Sequence, residues 1–164
     1  MTHQERMLAS GCKGGAVGVK PTVVTQYVLE NYDKNIPLVD YGAGKYMRQT
    51  KLLREHGYRV LPLDLMEYMN EWGAEEILPP GQEKFEGPIV VMASNVMNVL
   101  QFLEDIPEMV DEAFSWGEDV SVMVANFPKE PRYNGASKAE VVAALSDRYH
   151  VKLEPKNLLV IWRK

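Results

Sequence analysis

Leu38-Val39-Asp40-Tyr41-Gly42-Ala43-Gly44-Lys45 reads as an apolar strand that ends in Asp-x-Gly-x-Gly and opens a helix, and a second acid, Asp64, closes the next apolar run. Glycine has no β-carbon and tolerates unusual dihedrals, so this turn lets backbone come close to a ligand. A carboxylate at the tip of the following strand can accept hydrogen bonds from both hydroxyls of a ribose. A βα turn with a strand-end acid and two structural glycines would read the same way. Asp64, at the right distance, tips the reading toward a nucleoside pocket at the carboxyl ends of neighbouring parallel strands.

A dinucleotide fingerprint would carry a third glycine three residues after Gly44, where this chain has Met47. It would also leave the helix N-terminus open to a pyrophosphate. Asp40, two residues before the first glycine, would repel a pyrophosphate but can pair with an ammonium group. S-adenosylmethionine carries an amino group, a sulfonium and a ribose, and no phosphate. The charge pattern therefore favours it over NAD and weighs against a nucleotide-dependent oxidoreductase.

Working outward, the pattern predicts strands over 36–41, 58–63, 88–93 and 120–125, with helices starting at Pro21-Thr22 and covering 47–56, 107–116 and 138–148. A short helix over 66–72 and a strand stub near Ile77 are expected in a stretch broken by Pro79, Pro80, Gly81, Gly87 and Pro88. Pro88 to Ala93 is continuously apolar, as in a strand covered on both faces. The runs 149–153 and 158–162 are joined by Glu154-Pro155-Lys156-Asn157, enough for a hairpin and too short for a crossover helix. The expected fold is α/β: a Rossmann-like three-layer sandwich whose mostly parallel sheet ends in an antiparallel β-hairpin. Residues 1–20 read as a flexible glycine-rich lead-in, a candidate lid in its 13–20 portion, and 21–164 as the ligand-binding domain.

The 164 residues suit one domain, and 46% apolar with 25% charged residues is ordinary for a globular protein. A net charge of −5 disfavours general affinity for a phosphate backbone without excluding a local basic patch. One cysteine, Cys12, allows no internal disulfide and points to a reducing, cytoplasmic setting. No run spans a bilayer, and His3, His56 and His150 are too scattered for a metal site.

The Asp40-x-Gly42-x-Gly44 turn, the acid Asp64 and the closing hairpin resemble the class I S-adenosylmethionine-dependent methyltransferases, with Tyr46 where that family has its last glycine. Val-Val-Met-Ala-Ser-Asn-Val-Met-Asn-Val at 90–99 is similar to a segment of small methyltransferase-like proteins, some of them phage-encoded. The resemblance implies that Gly42 and Gly44 pass close to the methionine part of S-adenosylmethionine, that Asp40 helps hold its amino group and that Asp64 takes the ribose hydroxyls. Ser94 and Asn95 would lie beside the methyl group and the acceptor. The adenine would rest against the loop within 73–86.

Methyl transfer from a sulfonium asks the protein mainly to align acceptor, methyl carbon and sulfur. Asn95 and Asn98 are the candidates for orienting an acceptor, although each also suits a helix cap. Neither is a base, and an amine acceptor needs none. The Asp-Pro-Pro-Tyr or Asn-Pro-Pro-Tyr motif of amino-base methylation is absent, and Cys12 is not in a Pro-Cys pair after the strand at 88–93. Arg132, Tyr133 and Asn134, on a proline-rich loop at the same rim, are further candidates for acceptor contacts. Trp116 and Trp162 read as core or edge packing, and Met92, Met97, Met109 and Met123 as core. The same residues would also suit a binding module on this fold without turnover.

Overall fold

The computed structural model describes residues 20–44, 46–64, 88–94, 96–97, 100, 102–115, 120–127 and 136–164. In chain order these form α1 (Val23–Asn31), β1 (Leu38–Tyr41), α2 (Arg48–Glu55), β2 (Val60–Leu63), β3 (Ile89–Ala93), α3 (Asp105–Phe114), β4 (Val120–Asn126), α4 (Lys138–Ser146), β5 (Tyr149–Glu154) and β6 (Leu158–Arg163). The expected helix over 66–72, the strand near Ile77, residues 1–19, Asn95, Asn98, Trp116 and the 132–134 loop segment lie outside the described residues.

The strands form one sheet in the order β2-β1-β3-β4-β6-β5. β2, β1, β3 and β4 pair in parallel, whereas β6 pairs antiparallel with both β4 and β5. The last strand is thus internal and β5 forms the edge. The turn between them places Lys156 and Asn157 at positive φ, 66° and 61°. Lys138 Nζ donates to Asn157 Oδ1 at 2.6 Å, tying that turn to the start of α4.

Strand alternation sorts the core into two layers. Val39 and Tyr41 of β1 join Val91 and Ala93 of β3 in the apolar layer beneath α3 and α4. Leu38, Val90 and Met92 face the other way, against Val24 and Val28 of α1 and Leu53 of α2. Asp40, next in that alternation after Leu38, points to the α1–α2 side. The methionines at 92, 97, 109 and 123 are all buried, as their setting implied. Trp162 packs at the edge, its ring stacked on His150 with centroids 5.4 Å apart.

Element ends follow local chemistry. Thr22 caps α1, its side chain accepting from Thr25 N at 3.3 Å. β1 begins at Leu38 rather than Ile36 because Pro37 has no N–H to give a ladder, although its carbonyl still accepts from Val90 N. α3 starts at Asp105, before the expected Pro107, which leaves Pro107 in the first turn where its missing N–H costs nothing. Ser137 and Glu140 form a reciprocal capping box at the start of α4. Among the described residues no helix is long and apolar enough to cross a membrane.

Candidate functional site

The carboxyl ends of β1, β2 and β3 meet at one rim, and the Asp-x-Gly-x-Gly turn folds across it. Gly42 N and Ala43 N both donate to Leu63 O at 2.9 Å, which draws the turn over the tip of β2. One residue further on, Gly44 N donates to Asp64 Oδ2 at 2.9 Å. Asp64 is therefore oriented by the glycine turn itself, and it is only partly buried. A carboxylate has about four lone-pair directions, so it can accept from the Gly44 N–H and from other donors at once.

Gly42 has φ +76°, a backbone state that side chains with a β-carbon resist. A β-carbon built there would stand 2.8 Å from Val96 Cγ2. The residue is required by close packing of the segment after β3, a reason that Asp-x-Gly-x-Gly alone did not disclose. Beyond Gly44, which has φ +79°, Met47 takes a left-handed conformation with φ 49° as the N-cap of α2. The conformation commonly supplied by glycine thus falls on Met47, and burial of the Met47 side chain offsets its cost. Tyr46, 49% exposed, lies at the rim with the Arg48 guanidinium carbon 5.2 Å from its ring centre.

Asp40 sits beneath this surface and is 2% exposed. Thr50 Oγ1 donates to Asp40 Oδ2 at 2.6 Å. Burial pushes the Asp40 carboxyl up to about 6; the Thr50 hydrogen bond opposes that shift and the nearby Asp64 charge adds to it. Tyr41 faces the opposite layer, where burial and the carboxylate of Glu112 on α3 hold its phenol well above the ordinary range and keep it protonated.

Ser94 is buried at the tip of β3, and its hydroxyl lies 2.8 Å from Thr22 Oγ1. Gln49 on α2 completes the tie: Oε1 accepts from Thr22 N and Nε2 donates to Lys20 O, both at 3.1 Å. The sequence reading assigned Ser94 to a ligand and did not find Thr22, Gln49 or Thr50. A run of four polar residues, Arg48-Gln49-Thr50-Lys51, early in a helix that must bury one face was the available signal. The structure brings Asp40, Gly42, Gly44, Asp64 and Ser94 together at one rim. Among the described residues no group of three His, Cys, Asp or Glu could hold a metal ion.

No protein-family model and no curated protein matches this sequence. Solved structures do. A TehB-like SAM-dependent methyltransferase from Corynebacterium glutamicum superposes with a TM-score of 0.59 at 14% identity, over 98% of this chain and 94% of that one. The N-methyltransferase NodS from Bradyrhizobium japonicum, in complex with S-adenosyl-L-homocysteine, gives 0.56 at 11% identity over 100% and 99%. A SAM-dependent methyltransferase from Aquifex aeolicus gives 0.53 at 14% over 99% and 98%. The chain has the Rossmann-like fold of class I methyltransferases, with the antiparallel last strand inside the sheet.

Proposed function

We propose that residues 21–164 bind S-adenosylmethionine at the rim of β1, β2 and β3 and transfer its methyl group to an acceptor. The observation that carries this reading is the Gly44 N–H fixing the Asp64 carboxylate at the tip of β2, above the buried Asp40. The donor set fits the cofactor's chemistry: a partly exposed carboxylate for a diol and a buried carboxylate for an ammonium. When bound, the cofactor supplies an activated sulfonium methyl for in-line displacement. Asp64 would accept from the ribose hydroxyls and Asp40 would balance the amino group. Ser94, tied to Thr22, would form the wall beside the reacting centre. Asn95 and Asn98 would orient the acceptor; neither is a base, which suits an amine. The single Cys12, which can form no internal disulfide, suits a reducing, cytoplasmic compartment.

A second reading, a binding module without turnover, draws on one specific feature. Val96 packs directly over Gly42, and Tyr46 with Met47 replaces the usual last glycine, so the pocket differs from the common pattern. Isothermal titration with S-adenosylmethionine, S-adenosylhomocysteine and NADH separates the cofactor classes. We expect binding of the first two and none of the third, and a loss of at least about tenfold for Asp64→Ala, the scale of a hydrogen bond to a charged group. Unchanged affinity in that variant would remove the site assignment. Labelled methyl groups offered to amine metabolites, nucleic acid and a lysate then test turnover, and a labelled product would reject the module reading.

A further inference from the structure

Among the described residues, the side chain that holds the buried carboxylate at the end of β1 is Thr50. Thr50, in the first turn of α2, donates to Asp40 at 2.6 Å from within the core and is itself fully buried. The groups around Asp40 are otherwise poor partners for a charge. Its sheet neighbours are Pro62 and Met92. The polar network at this rim, Thr22 with Thr25, Gln49 and Ser94, holds no group that titrates in the neutral range. The one charged side chain acting on Asp40 among the described residues is Asp64, and its sign is the same. A carboxylate so placed gains strongly from an arriving cation and is costly to ionise without one.

We propose that Thr50 is a positioning residue for the cofactor's ammonium group: its hydroxyl orients the Asp40 carboxylate and favours its charged form, so that cofactor binding expels a proton from beneath the glycine turn. This rests on the S-adenosylmethionine reading above and adds to it a proton linkage and the residue that sets it. Before binding, the Asp40 carboxyl is mostly protonated in mildly acidic solution. On binding, the proton leaves to solvent and the Asp40 carboxylate faces the ammonium. Below the midpoint, affinity should fall about tenfold per pH unit, as one proton must be displaced. The midpoint should lie near pH 6, where burial has moved this carboxyl. Loss of the Thr50 donor removes the one interaction that favours ionisation, so the midpoint must move upward.

The test is titration of the full chain with S-adenosylhomocysteine from pH 5 to 9, beside 5′-methylthioadenosine, which keeps the nucleoside and lacks the amino-acid tail. We expect a sloping profile for the first ligand and a flat one for the second, so that titration of Asp64, which both ligands share, is accounted for. Thr50→Val should shift the midpoint upward by about a pH unit while approaching wild-type affinity at pH 9, and Thr50→Ser should restore the wild-type midpoint. A flat wild-type profile for S-adenosylhomocysteine overturns the proposal, and that test needs no variant. A uniform loss across all pH values in Thr50→Val also overturns it, since that is what a packing defect produces. Absence of binding by both nucleosides at every pH would instead remove the cofactor reading on which the proposal stands.

Discussion

Asp40 carries the sharpest conflict between folding and function at the level of a single side chain. It is a carboxylate in the apolar layer beneath α1 and α2, with Thr50 as donor and Asp64 as a repelling neighbour. Its carboxyl moves from the ordinary 3.8 to about 6 in the folded chain. The folded state therefore holds the proton more tightly than the unfolded one. The resulting contribution to stability is fully present below about pH 4 and lost as pH rises through 6, an effect on the order of 3 kcal/mol. Asp40→Asn should accordingly stabilise the ligand-free protein at pH 7.5 by up to about that amount, and should flatten this part of its stability–pH curve in urea denaturation. A variant no more stable than wild type at pH 7.5 would refute the charge assignment. The sequence revealed Asp40 as an acid before glycines, but not that it would be buried, because its partner Thr50 lies ten residues on, in a helix whose span the pattern marks without singling out Thr50. Gly42 was found for an incomplete reason: what stands against it is Val96, from a segment far away in the sequence.

Among the elements, α1 shows how a cap can serve two structures at once. Thr22 caps its own helix through Thr25, meets Ser94 just after β3 and donates its N–H to Gln49 of α2. α1 is thereby pinned to the sheet and to α2 at the rim, and Tyr58 on the other side secures its far end by donating to Tyr32 O. Thr22→Ala removes the cap and leaves the buried Ser94 hydroxyl without this partner. Each effect costs about 1–2 kcal/mol, so a loss of about 2–3 kcal/mol is expected by chemical denaturation. Thr22→Ser should recover most of it. A Thr22→Ala change costing only what an exposed cap costs would mean that the Ser94 contact contributes nothing. The Pro21-Thr22 start signal was legible because caps are local chemistry; the contact with Ser94 spans 72 positions and was not.

At the scale of the whole molecule, topology does the assembling. Parallel pairing puts the carboxyl ends of β1, β2, β3 and β4 on one rim, and the sheet order places β2, β1 and β3 side by side there. That is why Asp40, Gly44, Asp64 and Ser94, read separately along the chain, arrive together. The fold class was legible, since apolar runs broken by Gly and Pro marked the six described strands and the four-residue link 154–157 forces a hairpin. Periodicity could not reveal which side chains would satisfy one another at the rim, because hydrogen bonds such as Gly44 to Asp64 depend on how two turns fold together. The central claim is a nucleoside lying across these tips, and the most direct measurement is a crystal structure with S-adenosylhomocysteine bound. Such a crystal should show the ribose hydroxyls within hydrogen-bond distance of Asp64 and the amino group over Asp40, beside the Gly42–Gly44 turn. A ligand seated elsewhere, or a ribose with no contact to Asp64, would contradict the claim.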